Sequence, residues 1–194
     1  MVKQIFANFT WLDICVALII VRGCWIGFQK GFLVEVFKMF ALIVATFIAL
    51  HFYSQSGDVF IHVLRRLDPV AHVFSYVVLI GITVGIFRIV RDGIVVLLKD
   101  KESEEIFAFR ITGLVLGFVR SLVLSSLLVV GCLIADVGSL KRIVRHSFTA
   151  PSILAIGPQI YVEGFRRLVR PVFPNEEENE KVSAFARSNK RVFD

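Results

Sequence analysis

The chain has 194 residues, 56% hydrophobic and 20% charged, with a mean hydropathy of +0.76. A soluble domain of this size must wet its surface, so this composition, with 19 phenylalanines, excludes an ordinary globular protein and indicates a polytopic membrane protein. The net charge of +6 comes from basic residues that flank apolar runs, which fits lipid headgroups and argues against a nucleic-acid-binding face.

The first apolar run covers residues 11–28. Lys3 is a weak start for a signal peptide, Arg22 interrupts the run, and no small-residue cleavage site follows, so it reads as an uncleaved span. Trp11 suits a membrane interface, and residues 8–10 can cap the helix. Asp13 and Arg22 are nine residues apart and fall on opposite helix faces, so Arg22 needs another partner or must reach the interface. Residues 28–31 form a very short turn, predicting an antiparallel hairpin with a second span over 32–53. Glu35 and Lys38 share a face near its start.

Residues 54–69 read as a loop holding a short amphipathic helix, with Phe60, Val63, Leu64 and Leu67 on one side. A third span follows over 70–90, and residues 94–98 either extend it or fold along the membrane surface. After a charged loop at 100–105, the fourth span covers 109–135 with Arg120 near mid-depth. Each run is long enough to cross a bilayer core. Beyond it, Tyr161, Phe165, Leu168 and Val172 share a face opposite Glu163, Arg166, Arg167 and Arg170, predicting a basic amphipathic helix that Pro171 ends or distorts. Residues 175–194 are polar and read as unstructured. The expected division is a four-span membrane domain over 1–135 and an amphipathic, charged segment over 136–194. With four spans, Lys3, Arg65, Arg66, Lys141, Arg142 and Arg145 share one side. Lys30, Arg88, Arg91, Lys99, Lys101 and Arg110 share the other, so the positive-inside rule does not choose an orientation.

Small residues recur every fourth position in all four spans: Gly23/Gly27/Gly31, Ala41/Ala45/Ala49, Gly81/Gly85 and Gly113/Gly117/Ser121/Ser125. Such ladders let helix backbones approach closely in lipid and predict a tight bundle or a tight oligomer. Arg22, Glu35, Lys38 and Arg120 are charges within membrane-grade sequence. They support two readings, an ion or substrate path and an internal salt bridge that fixes packing, of which the second is preferred. Its specific form is a pair between Glu35 and Arg120, because Arg120 lies near the Gly113/Gly117 face. Chemistry finds little support. The four histidines are scattered, Ser125 and Ser126 have no evident base, and the glycines do not form a phosphate loop. Cys15, Cys24 and Cys132 form no CxxC pair. No enzyme activity, cofactor or metal is expected.

Lys30-Gly31-Phe32-x-x-Glu35, with Gly27 before it at a hairpin, resembles the first signature of the colicin V production (CvpA) family. Arg110, Gly113, Gly117 and Arg120 match the spacing of that family's second signature, and Trp11-Leu12-Asp13 fits its opening. The resemblance covers about residues 10–135. Phe109 stands where the family has aspartate and Ser121 where it has glycine, so an Asp–Arg pair is absent unless Glu104 or Glu105 reaches Arg110. The resemblance implies a multi-pass protein of the bacterial inner membrane tied to colicin V production, secretion or envelope function. It brings no defined activity. The expected architecture is all-α: four transmembrane helices with short amphipathic interfacial helices. The expected partners are the lipid bilayer and a second copy or another membrane protein. A non-enzymatic scaffold is the favoured role, and a small channel or transporter using Arg22, Glu35 and Arg120 is the alternative.

Overall fold

The computed structural model describes residues 10–64, 68–98, 107–135, 137–171, 179 and 182–183. Among them the chain is helical, with no strand. Three long helices carry the bundle: α1 (Trp11–Leu64), α2 (Asp68–Leu98) and α3 (Phe107–Ile134). The short helices α4 (Gly138–His146), α5 (Ala150–Ile153) and α6 (Ile156–Gly164) follow, and then a π-helical turn, Phe165–Val169. Four segments are long and apolar enough to cross a membrane: Trp11–Lys30, Val34–Val59, Ala71–Gly93 and Arg110–Ile134. They are spans 1 to 4 below.

Spans 1 and 2 lie in one helical run with no coil residue between them, unlike the separate turn expected at 28–31. The run nevertheless doubles back. Gly27 packs on Gly113, and a straight helix would carry Glu35 about 12 Å past that contact, toward the start of α3. Glu35 instead meets Arg120, seven residues further into α3 than Gly113. Ile19 and Gly23 of span 1 also line one cavity with Ala41 and Leu42 of span 2. The direction therefore reverses between Lys30 and Val34, and span 2 runs parallel to span 4.

Span 3 returns antiparallel to span 2, with Phe87 edge-on to Phe40 and Tyr76 edge-on to Tyr53. The Tyr76 hydroxyl donates to the Leu127 carbonyl at 3.0 Å, tying span 3 to span 4. The loop expected over 54–69 is largely helix, because α1 continues to Leu64 and α2 starts at Asp68. No proline interrupts that stretch before Pro69, and Gly57 gives room for His72 of span 3. A Cβ there would lie 1.9 Å from His72 Nδ1. Residues 94–98 extend α2. Leu67 and the pairing of Glu104 or Glu105 with Arg110 fall outside the described residues, as do the side chains of Phe60, Val63, Leu64 and Leu168.

The ladders separate into working and idle ones. A Cβ on Gly27 would sit 2.3 Å from the Gly113 carbonyl oxygen, and one on Gly117 would sit 2.5 Å from that of Gly23. Spans 1 and 4 thus touch backbone to backbone, an approach only glycine permits. Ala45 and Ala49 are fully buried. Gly81 and Gly85 do neither, since a Cβ on each meets nothing within 4 Å and that ladder faces outward. Gly27→Ala is expected to destabilise the bundle by about 1–3 kcal/mol through overpacking. Gly81→Ala should stay within about 0.5 kcal/mol of wild type. Thermal unfolding in detergent compares the two.

The segment after span 4 folds back onto the bundle. Tyr161 and Phe165 are buried and Glu163, Arg166 and Arg167 exposed, so this stretch is amphipathic as its spacing predicts. Its apolar face packs on span 2: Phe47 lies 5.4 Å from Tyr161 and 6.5 Å from Phe165, ring centre to ring centre. Phe47 is midway along its span, so this segment reaches well below the bundle end. The helix widens into the π-turn and ends before Pro171, which has no N–H to continue it. Within the tail expected to be unstructured, Val182 is buried and Asn179 donates to the Leu50 carbonyl.

Candidate functional site

Two polar centres stand at opposite ends of the bundle. The first is Glu35, fully buried in the opening turn of span 2. Its helical position puts Lys38 one turn on, and the Lys38 ammonium donates to Glu35 Oε1. Arg120 Nε of span 4 stands 3.2 Å from Glu35 Oε2, an ion pair not aligned as a hydrogen bond. Arg120 reaches it because Gly113 and Gly117, seven and three residues earlier, bring span 4 against span 1. A buried carboxylate between two cations is strongly coupled in low dielectric, and losing it strands both cations.

Beside this triad a cavity of about 500 Å³ lies among the four spans. Arg22, Lys30, Lys38, Arg88, Arg91 and Arg120 line it together with Ile26, Phe37, Phe87 and Leu124. Asp92 sits next to it and takes Arg91 at 2.5 Å and Arg88 at 4.0 Å. Arg22, which had no partner by helix geometry, is part of this wall. Of the residues singled out by spacing, Gly27, Gly113 and Gly117 form the close contact. Glu35 and Arg120 form the buried pair, and Lys30 lines the cavity. Gly31 and Phe32 follow at the reversal, and Phe32 and Arg110 are exposed. These residues gather at one end of the bundle. Arg110 joins neither the pair nor the cavity lining.

The second centre is Asp13, whose role the sequence did not disclose. It is 1% exposed, yet it has no cationic partner among the described residues. Thr10 donates its backbone N–H and hydroxyl to Oδ2, each at 2.8 Å, which caps the start of α1. Oδ1 accepts the Ser147 hydroxyl at 2.7 Å, the Thr149 hydroxyl at 2.6 Å and the Thr149 N–H at 2.9 Å. Ser147 Oγ in turn accepts the N–H of Ala150. One carboxylate thus holds the link between α4 and α5 to the first turn of α1. The sequence signals were the family-like opening Trp11-Leu12-Asp13 and an aspartate three residues after a threonine, and neither says anything about a contact 134 residues away.

The serines of span 4 also serve packing. Ser126 Oγ donates to the Leu154 carbonyl and accepts the Gly157 N–H at 2.8 Å. Ser121 Oγ donates to the Gly117 carbonyl at 2.7 Å. His51 Nδ1 and the Tyr161 hydroxyl are 3.1 Å apart, a contact between span 2 and α6. Cys15, Cys24 and Cys132 are free thiols.

A family model described as Colicin V production protein matches residues 12–158. No curated protein and no solved structure matches the chain.

Proposed function

Because the chain belongs to the colicin V production protein family, a multi-pass membrane protein by its four apolar spans, we propose that it is an accessory protein of the bacterial inner membrane. It supports toxin production or secretion, or the upkeep of the envelope, by packing against membrane partners and without catalysis. The observation that carries this reading is the backbone contact of spans 1 and 4. Glycine against glycine leaves no room for a lumen between them. The buried Glu35, held by Lys38 and Arg120, also serves as an internal brace.

A small channel or transporter is the second reading, favoured by one observation: Arg22 and Arg120 face an open cavity. Reconstitution into liposomes separates the two. The accessory protein is expected to give no proton or anion flux under an imposed gradient, and colicin V-type toxin export should fall in cells lacking the protein. Flux that disappears in Arg120→Leu would overturn the accessory reading.

A further inference from the structure

Among the described residues, the cavity at the Glu35 end carries more positive charge than is neutralised. Six cations line it, while Glu35 and Asp92 are the carboxylates paired with them among those residues, which leaves a net charge of four. Glu35 is committed to Lys38 and Arg120, and Asp92 to Arg91 and Arg88. Arg22 and Lys30 make no ion pair among the described residues. Arg22 stands eight residues from the end of span 1, about 12 Å along the helix. An uncompensated cation at that depth is expensive; Lys30 stands at the end of the span, both side chains are exposed, and close like charges repel. Packing alone gives no reason to keep them, because the Glu35 brace is complete without Arg22 or Lys30.

We propose that this cavity is a binding site for a phosphate group, carried by an anionic lipid headgroup or free in solution. Guanidinium groups match phosphate oxygens with paired hydrogen bonds, and Arg22, Arg88, Arg91 and Arg120 offer four of them around one space. The volume of about 500 Å³ suits a small-molecule site. The remaining wall is apolar, with Ile26, Phe37, Phe87 and Leu124 placed to receive the carbon chain next to a charged head. A soluble anion would use the cations alone, whereas a lipid would use both surfaces. The ligand therefore has phosphate chemistry from either source, and the apolar wall favours the lipid headgroup. The inference does not depend on the accessory role: a scaffold and a transporter could each hold such a ligand.

Native mass spectrometry of the full chain released from phosphatidylcholine nanodiscs, with and without phosphatidic acid, tests the site. Retention of phosphatidic acid over phosphatidylcholine is expected. The Arg22→Gln/Lys30→Gln variant, which breaks no ion pair among the described residues, should retain it at least about tenfold less. Arg142→Gln, an exposed cation on α4, should bind like wild type. A thermal shift with inorganic phosphate against chloride at equal ionic strength identifies the source. Protection by phosphate matching that by the lipid would support the site with a soluble ligand, and protection by the lipid alone would support it as a headgroup site. Equal retention of both lipids without protection by phosphate, a double variant that binds like wild type, or equal losses in the double variant and Arg142→Gln would each overturn the proposal.

Discussion

Glu35→Gln is expected to destabilise the bundle by about 3 kcal/mol. The substitution keeps the shape of the side chain and removes the only carboxylate that Lys38 and Arg120 are seen to share among the described residues. Both cations are partly buried, with 15% and 20% of their side chains exposed, so solvent in the cavity replaces the lost partner only in part. Each repels the other, and Lys30 lines the same cavity. Arg120→Gln alone should cost less, since Lys38 still holds Glu35 by the hydrogen bond within its own helix turn. The Glu35→Gln/Arg120→Gln variant should then be more stable than the sum of its parts by about 0.5–3 kcal/mol. A double-mutant cycle on thermal unfolding in detergent measures this coupling. Strictly additive losses would show that the two groups do not brace each other.

Asp13→Ala is expected to be at least as damaging, at about 4 kcal/mol, and by a different route. Here no cation is stranded. The loss is of five hydrogen bonds to one buried carboxylate, which leaves the donors of Thr10, Ser147 and Thr149 unsatisfied where water does not reach them easily. The damage should also be local before it is global. The link between α4 and α5 loses its anchor, so tryptic cleavage at Lys141, Arg142 or Arg145 should speed up, while the Gly27–Gly113 contact far along the bundle survives. Asp13→Asn should fall between the two, because an amide keeps one acceptor oxygen but turns an N–H₂ group toward donors. Cleavage rates unchanged in Asp13→Ala would mean that the carboxylate does not hold this segment.

The two centres divide the molecule in a way that bears on function. The Asp13 end is closed by its own chain, with α5 and α6 filling the space beside spans 2 and 4. Among the described residues the Glu35 end is open, cationic and partly apolar. A protein that braces a bundle needs only the first kind of end. The second kind is where a ligand of opposite charge can enter, and the residues of both signature motifs cluster around it.

Composition and periodicity determined that the protein is all-α and crosses a membrane four times, because hydrocarbon demands long apolar helices whatever their arrangement. Spacing also located Gly27, Gly113 and Gly117, since a repeat of four is a property of one helix and can be read along it. The helix face that Arg120 shares with Gly113 and Gly117 was enough to nominate it as the partner of Glu35. Tertiary structure alone decided the rest. Whether a ladder packs depends on which way its helix is turned, and Gly81/Gly85 is as regular as Gly113/Gly117 yet faces outward. Asp13 depends on a segment more than a hundred residues away, whose Ser147 and Thr149 are ordinary polar residues until the chain folds back on its first turn. Arg22 is the clearest case. Helix geometry could say only that it does not face Asp13, whereas the meeting of four spans turns it into one of six cations around a single cavity, because charge density belongs to a space and not to a stretch of sequence.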